Sequence, residues 1–344
     1  MNDETKSGAL PAMMRAVVIT ASGGPEVLRI EQRPVPVPGP REVLIRIHGS
    51  AMNRADVLQR QGRYPPPPGA PVDVPGMELA GVVAARGPQA TRWAAGTRLF
   101  GLVAGGAHAE FAVAHEDTLC EIPAPMQWDA AAAVPEAFIT AGDALDQAQA
   151  GSGDAVVVHA VASGVGLAAV QLVRARGGIA LGTSRSVAKM ARARELGMSD
   201  GFDASGGLDP LAQWVRGHTA GRGADVALDL VGGPYLRPTL DALAPGGRVM
   251  LIGTVAGAEA TIPLGTVLRK RLTIRGTVLR SRTLEERMRD ARAFATRVVP
   301  LLANGTVQPV IDRVFPLEEI AEAHRVLESN ATVGKVVLRM TADR

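Results

Sequence analysis

The stretch from Asp154 to Leu172 constrains this chain more than any other. A β-branched run, Val156-Val157-Val158, leads through His159 and the small residues Ala160, Ala162, Ser163 and Gly164 into a second apolar run that begins at Gly166. Apolarity and length alone would allow a membrane span. The β-branched start, the polar His159 and Ser163, and the glycines at 164 and 166 instead predict a buried strand, a tight turn and a buried helix. A helix that opens directly after a buried strand points its unsatisfied N–H groups, and the positive end of its dipole, at whatever lies above the turn. Small residues in such a turn let the backbone approach a pyrophosphate. The three-glycine fingerprint of dinucleotide sites falls here on Val161, Ser163 and Gly166, with Gly164 in addition. Only one of the three fingerprint glycines is present, so the strand–turn–helix setting carries the reading.

The flanking sequence supplies that setting. After Pro135 strand-like and helical runs alternate: Ala155–His159, Val165–Arg176, Ile179–Thr183, Val187–Leu196, Val226–Leu230, Tyr235–Leu243 and Arg248–Ile252, then a last strand over Leu272–Thr277. Alternation of this kind predicts a parallel sheet covered by helices. Before Pro135 the runs are short and strand-like (Ala16–Ile19, Glu42–Ile47, Gly81–Ala85, Phe111–Val113), parted by Pro- and Gly-rich turns at Pro34–Pro40 and Tyr64–Pro71, with one helical turn at Asn53–Gln61. The tail offers helices at Leu284–Leu302 and Leu317–Ser329 and a strand at Lys335–Leu338. A chain of 344 residues exceeds one ordinary core, so two domains are expected.

The second strand of the alternating half bears on the nucleotide. Sites for NAD place a carboxylate at its end to accept from the ribose hydroxyls. Here the strand ends in Thr183-Ser184-Arg185-Ser186, with Lys189 one turn further. Hydroxyls with two cations suit a 2′-phosphate through charge-assisted hydrogen bonds, which favours NADPH; the alternative is a solvated helix start.

Composition excludes other classes. The net charge is +3, and the densest basic run, Arg269-Lys270-Arg271, reads as a solvated strand end. Aromatic residues are only 3% of the chain, too few for stacking on nucleic acid. Cys120 is the single cysteine and cannot form an internal disulfide, which fits a reducing, cytoplasmic location. Residues 1–13 lack the apolar core of a signal peptide and are expected to be a flexible leader.

Several segments resemble the zinc-independent quinone oxidoreductase branch of the medium-chain dehydrogenase/reductase superfamily, and within it the stress-inducible NADPH quinone oxidoreductase subgroup. They are Met14–Leu28 with Gly23-Gly24-Pro25-Glu26, the run from Asn53 through Asp56 and Arg60 to Tyr64 and its prolines, Pro135-Glu136-Ala137-Phe138-Ile139-Thr140, His159–Gly166 and Asn330–Leu338. The resemblance implies an α/β chain. A Rossmann-type doubly wound parallel sheet (136–279) binds the cofactor, and a mostly antiparallel, β-rich GroES-like catalytic domain is built from 14–135 and 280–344. It implies a homodimer paired at the edge of the Rossmann sheet. It assigns Thr140 to the nicotinamide, Ser163, Gly164 and Val165 to the pyrophosphate, and Ser186 and Lys189 to the 2′-phosphate, beside Gly166, Thr183, Ser184 and Arg185 from the residue pattern above. Gly253, Thr254, Leu279, Arg280 and Lys335 would line the cofactor, while Asn53, Asp56, Tyr64 and Glu136 would face the substrate. Val161 departs from the subgroup's glycine and could shift the turn.

No zinc is expected. The positions that align with the catalytic zinc ligands of related alcohol dehydrogenases are Asn53, Met77 and Glu136, a poor trio for a metal that favours imidazole and thiolate. The six histidines are dispersed, as packing or surface residues would be. Without a Lewis acid the accessible reaction is hydride reduction of an acceptor that already draws electrons, a quinone or another conjugated carbonyl, with Tyr64 or a water serving the developing oxyanion and Asn53 orienting the ring. The alternatives are an NADPH-dependent enoyl or alkenal reductase on the same scaffold, and a non-catalytic NADPH-binding sensor or nucleic-acid-associated protein.

Overall fold

The computed structural model describes residues 10–340. The leader expected over 1–13 therefore lies mostly outside the described residues, but its last residue, Met13, already pairs with Pro34. Strand β1 (Met13–Ile19) runs antiparallel to β2 (Leu28–Pro34) as a separate ribbon. The main N-terminal sheet uses β3 (Glu42–Ala51), β4 (Glu78–Arg86), β5 (Arg98–Leu102), β6 (Phe111–His115) and β7 (Leu119–Glu121). The helix α1 (Arg54–Arg60) leaves β3, and α2 (Trp128–Ala132) and α3 (Pro135–Gln147) follow β7.

The alternating half forms β8 (Ala155–Val158), α4 (Gly164–Ala175), β9 (Ile179–Ser184), α5 (Val187–Glu195), β10 (Asp200–Asp203), α6 (Leu211–Gly217), β11 (Ala224–Asp229), α7 (Leu236–Ala242), β12 (Leu243–Leu251), α8 (Leu264–Lys270) and β13 (Thr273–Gly276). Its six strands are all parallel, in the order β10-β9-β8-β11-β12-β13. That is the doubly wound order, with the reversal between β8 and β11. The apolar stretch after Asp154 is thus strand, turn and helix, and among the described residues no helix is long and apolar enough to cross a membrane.

The tail returns to the first sheet. Strand β14 (Ile311–Pro316) runs parallel to β15 (Lys335–Arg339), and β15 pairs antiparallel with β3. The helix expected over Leu284–Leu302 is two helices, Leu284–Arg297 and Val299–Ala303, parted where Pro300 cannot donate into the preceding turn. Arg269-Lys270-Arg271 closes α8 and is not a strand end: the Lys270 ammonium donates to the carbonyls of Leu240, Asp241 and Leu243. The short strands β5, β7, β10 and β14 escape the sequence reading because three to six residues carry too little alternation to register.

Helix α3 is the spine of the molecule. One apolar cluster runs from Phe100 in β5 through Phe138 and Leu145 of α3 to Leu167 and Val170 of α4. Both sheets therefore share a core through α3, and the first turn of α3 opens into the cleft between them. The turn after β8 is equally determined. Ser163 caps α4 by accepting from Gly166 N–H (3.1 Å), and a Cβ on Gly166 would stand 2.6 Å from the Val161 carbonyl oxygen. Val161 does not displace the turn. Its side chain is buried in the space left by Gly182 of β9, whose own Cβ would meet it at 2.8 Å. Gly166→Ala is expected to destabilise the fold by about 1–3 kcal/mol through this backbone clash, read as a lower urea midpoint at unchanged slope.

Candidate functional site

Four separate parts of the chain converge on one buried ammonium. Lys335, at the start of β15, donates to Glu78 Oε1 (2.7 Å), Asn53 Oδ1 (2.5 Å) and the Met52 carbonyl (3.0 Å). Asn53 Nδ2 donates to the same Glu78 Oε1 at 2.8 Å, and Glu78 Oε2 accepts from the Glu136 backbone N–H at 2.9 Å. Glu78 is fully buried and Lys335 nearly so, with relative exposures of 0% and 5%. A charge removed from water this far is tolerated only when paired and hydrogen-bonded, and both conditions hold here.

The segment Asn53–Tyr64 is held to this centre by its own chemistry. Asn53 stands at the N-terminus of α1, where its backbone N–H donates to Asp56 Oδ2 (2.7 Å), and Asp56 Oδ1 accepts from Gly76 N–H (3.1 Å). Asp56 is fully buried, so its carboxylate pins the loop that carries Met77 and Glu78. Both ends of the Asn53 amide are committed within the protein, to Lys335 and to Glu78. Tyr64 is half-buried beneath Arg280, whose guanidinium carbon lies 5.2 Å from the ring centroid. Arg280 is fastened by Gln59 Oε1 (2.6 Å) and the Ala104 carbonyl (2.8 Å). Burial pushes the Tyr64 hydroxyl above its usual range, and Arg280 offsets part of the rise.

Beside this centre lies a small cavity lined by Met77, Leu102, Glu136, Ile139, Leu279 and Arg280. Glu136 sits on the first turn of α3, and Thr140, one turn on, donates to its Oε1 at 3.5 Å. Burial, and then the neighbouring Glu78 carboxylate, push the Glu136 carboxyl up to about 7. Thus Asn53, Asp56, Glu136, Thr140 and Lys335 are brought together, with Tyr64, Leu279 and Arg280 at the cavity's edge. Sequence reasoning left Glu78 and Gln59 without a role, and only a glutamate at the mouth of an apolar strand pointed to the first of them.

The carboxyl ends of the parallel strands form the adjoining rim. Ser163, Gly164, Val165 and Gly166 follow β8, while Gly253 and Thr254 follow β12. A Cβ on Gly253 would stand 2.6 Å from the Leu230 carbonyl oxygen, so a bulkier residue has no room there. Gly164 faces Lys335: a Cβ there would meet the lysine Cδ at 2.5 Å. Ser184 and Ser186 flank the exposed Arg185, which forms no ion pair among the described residues. The Lys189 ammonium bonds the Asn330 carbonyl. Thr183 differs from its expected role. It is fully buried and its hydroxyl is engaged with His159 Nδ1 (2.9 Å), because alternation along β9 turns it into the core. His159, bonded on its other nitrogen to Thr239, is a packing residue held down to about 4 by burial. The turn, the open helix N-terminus and the unpaired cation fit a dinucleotide phosphate.

The same centre does not fit zinc. Among the positions aligned with zinc ligands, Asn53 spends its oxygen on an ammonium, Met77 offers only a thioether, and Glu136 carries a proton over much of the neutral range. A Lys335 cation already neutralises the nearest carboxylate, Glu78.

Comparison with known proteins places this geometry. Residues 39–124 match the family model for an alcohol dehydrogenase GroES-like domain, and residues 203–338 match one described as a zinc-binding dehydrogenase. The chain is 33% identical over 333 residues to the quinone oxidoreductase of Mus musculus, covering 95% of this chain and 98% of that one. Among solved structures it is similar to an NAD-dependent alcohol dehydrogenase (TM-score 0.83, 32% identity, 95% of this chain and 100% of that one). It is also similar to a mycobacterial protein complexed with NADPH (TM-score 0.84, 27% identity, 95% and 100%).

Removing Lys335 tests the centre directly. Lys335→Met strands a buried carboxylate and is expected to destabilise the protein by about 3–5 kcal/mol, whereas Lys335→Met combined with Glu78→Leu recovers most of the loss in thermal denaturation.

Proposed function

The chain belongs to the quinone oxidoreductases of the medium-chain dehydrogenase/reductase superfamily, and from that premise we propose that it reduces quinones or related conjugated carbonyls with NADPH and without zinc. The observation that carries this reading is the Lys335–Glu78–Asn53 cluster, where a metal would need free donors, beside a cavity that Glu136, Arg280, Arg287 and Asp290 line together with apolar side chains. Oxidising a simple alcohol calls for a Lewis acid to stabilise the alkoxide. A conjugated carbonyl spreads the incoming charge onto its own oxygen and asks mainly for proximity and a hydrogen bond. A reduced nicotinamide, when bound, supplies the hydride.

The residues divide the remaining work. Ser163, Gly164, Val165 and Gly166 receive the pyrophosphate at the N-terminus of α4, and Thr140 meets the nicotinamide. Ser184, Arg185, Ser186 and Lys189 receive the 2′-phosphate, for which the exposed and unpaired Arg185 is the strongest support. Gly253, Thr254, Leu279 and Arg280 wall the ring, and Lys335 fixes Asn53 against Glu78. Tyr64 presents its hydroxyl to the acceptor, whereas Asp56, expected to face the substrate, is fully buried and shapes the loop instead.

We further propose a homodimer and a cytoplasmic location, with no nucleic-acid partner. Strand β13 is an exposed sheet edge, and Leu264 and Leu268 beside it are 68% and 76% exposed, an apolar surface that calls for a partner. Light scattering is expected to give the mass of two chains, and Leu268→Glu the mass of one.

The activity itself is tested by following NADPH oxidation with a naphthoquinone, an ortho-quinone and an enone. Turnover is expected with the quinones, and turnover confined to the enone would move the assignment to an alkenal reductase. Arg185→Ala with Lys189→Ala is expected to raise the Michaelis constant for NADPH at least ~10-fold while leaving that for NADH nearly unaltered, from the loss of two charge-assisted contacts.

A further inference from the structure

We propose that the Glu136 carboxyl is the acid that protonates the oxygen of the reduced acceptor, an inference that rests on the quinone-reductase reading above. Pro135 and Glu136 occupy the first two helical positions of α3, where free backbone N–H groups ordinarily hold a carboxylate as an anion. Here the Glu136 N–H is taken by Glu78 Oε2 at 2.9 Å, so another carboxylate occupies the anion position. The Glu136 side chain is left to line the cavity, and its contact with Thr140 is a long one, 3.5 Å.

The charges around it favour the neutral form. Glu78 of β4 and Asp56 of α1 present negative charge to it, and Lys335 of β15 opposes them, but that ammonium is bonded to Glu78 and Asn53. Arg280 and Tyr64 face it, and Arg287 and Asp290 line the same cavity; the Arg280 guanidinium donates to Gln59 and Ala104 and lies over the Tyr64 ring, while its Nη1 has no hydrogen-bond partner among the described residues. The outcome is a carboxylic acid half-open to the cleft and held up to about 7. Below that pH it carries a transferable proton, and above it the proton is lost. A general acid works best when its pKa lies near the operating pH. Tyr64, raised above an already high value, is the weaker acid and remains a hydrogen-bond donor.

The step balances simply. The acceptor takes two electrons and a hydrogen as hydride from the reduced dinucleotide, and one proton from Glu136. A quinone becomes a hydroquinone, the Glu136 carboxyl becomes a carboxylate, and solvent returns the proton after product leaves.

Two measurements test it. Infrared titration of the cofactor-free protein from about pH 5 to about pH 9 is expected to show a protonated carboxyl band that disappears around pH 7 and is missing in Glu136→Gln. Absence of such a band in the native protein overturns the proposal, whatever the enzyme turns over. Single-turnover reduction of a naphthoquinone is expected to slow ~10-fold per pH unit above about 7 in the native enzyme. In Glu136→Gln it is expected to run ~10²–10⁴-fold slower with no such limb; Glu136→Asp, should the glutamine variant fail to fold, keeps a shifted limb. Tyr64→Phe lowers the rate and retains the limb. A Glu136→Gln enzyme with native rate and native pH profile overturns the proposal, whereas a native protein that shows the infrared band but reduces no quinone refutes the quinone reading and leaves the buried acid standing.

Discussion

A lysine and a glutamate, both withdrawn from water, hold the cleft together. Lys335 comes from the tail, Glu78 from β4, Asn53 from the loop after β3, and the Glu136 N–H from the first turn of α3. The apolar cluster that contains Val337, Ala80 and Phe138 joins the same three parts without charge. Desolvating both charges is costly, and the attraction between them offsets that cost only because every remaining donor and acceptor is used. The lysine stem also reaches the phosphate turn. It lies where a Cβ on residue 164 would be, so Gly164 is required by the packing of Lys335 as much as by any ligand. A further tie follows at once, since Gly334 N–H donates to the Ala162 carbonyl at 2.9 Å. The turn after β8 and the loop that carries Asn53 are thus set in register by two adjacent residues of the tail.

Three carboxyl groups share this small volume with different tasks. Asp56 accepts two backbone N–H groups and shapes a loop. Glu78 accepts an ammonium, an amide and the helix N–H, and supplies fixed negative charge. Glu136, denied those donors by Glu78, keeps its proton into the neutral range. Burial first, and then the like charge of Glu78, raises the Glu136 carboxyl, so residues of the same type stand in different surroundings within one site. A family model described as a zinc-binding dehydrogenase matches residues 203–338, yet the donors at Asn53, Met77 and Glu136 are an amide, a thioether and a carboxyl.

Much of the architecture was legible because it rests on local pattern. Val156-Val157-Val158 with Ser163 and Gly166 specified a strand, a turn and a helix, and the alternation after Pro135 specified a parallel sheet, since both follow from periodicity and turn chemistry. The resemblance located the cleft residues Asn53, Tyr64, Glu136, Thr140 and Lys335. The ribose-end run was legible only in part. Arg185 stands exposed as expected, but Thr183 faces inward, because the strand continues one residue further and its pleat turns that hydroxyl to His159.

The amino-acid sequence by itself therefore determined the alternation of strand and helix after Pro135 and the strand–turn–helix over Ala155–Ala175, both properties of neighbouring residues. Tertiary structure alone decided what the cleft can do chemically. That Val161 is accommodated by Gly182, that Lys335 pairs with Glu78, and that burial holds the Glu136 carboxyl up to about 7 depend on residues far apart in the chain. Charge, burial and proton affinity are set by what surrounds a group in space, and no local pattern carries that information.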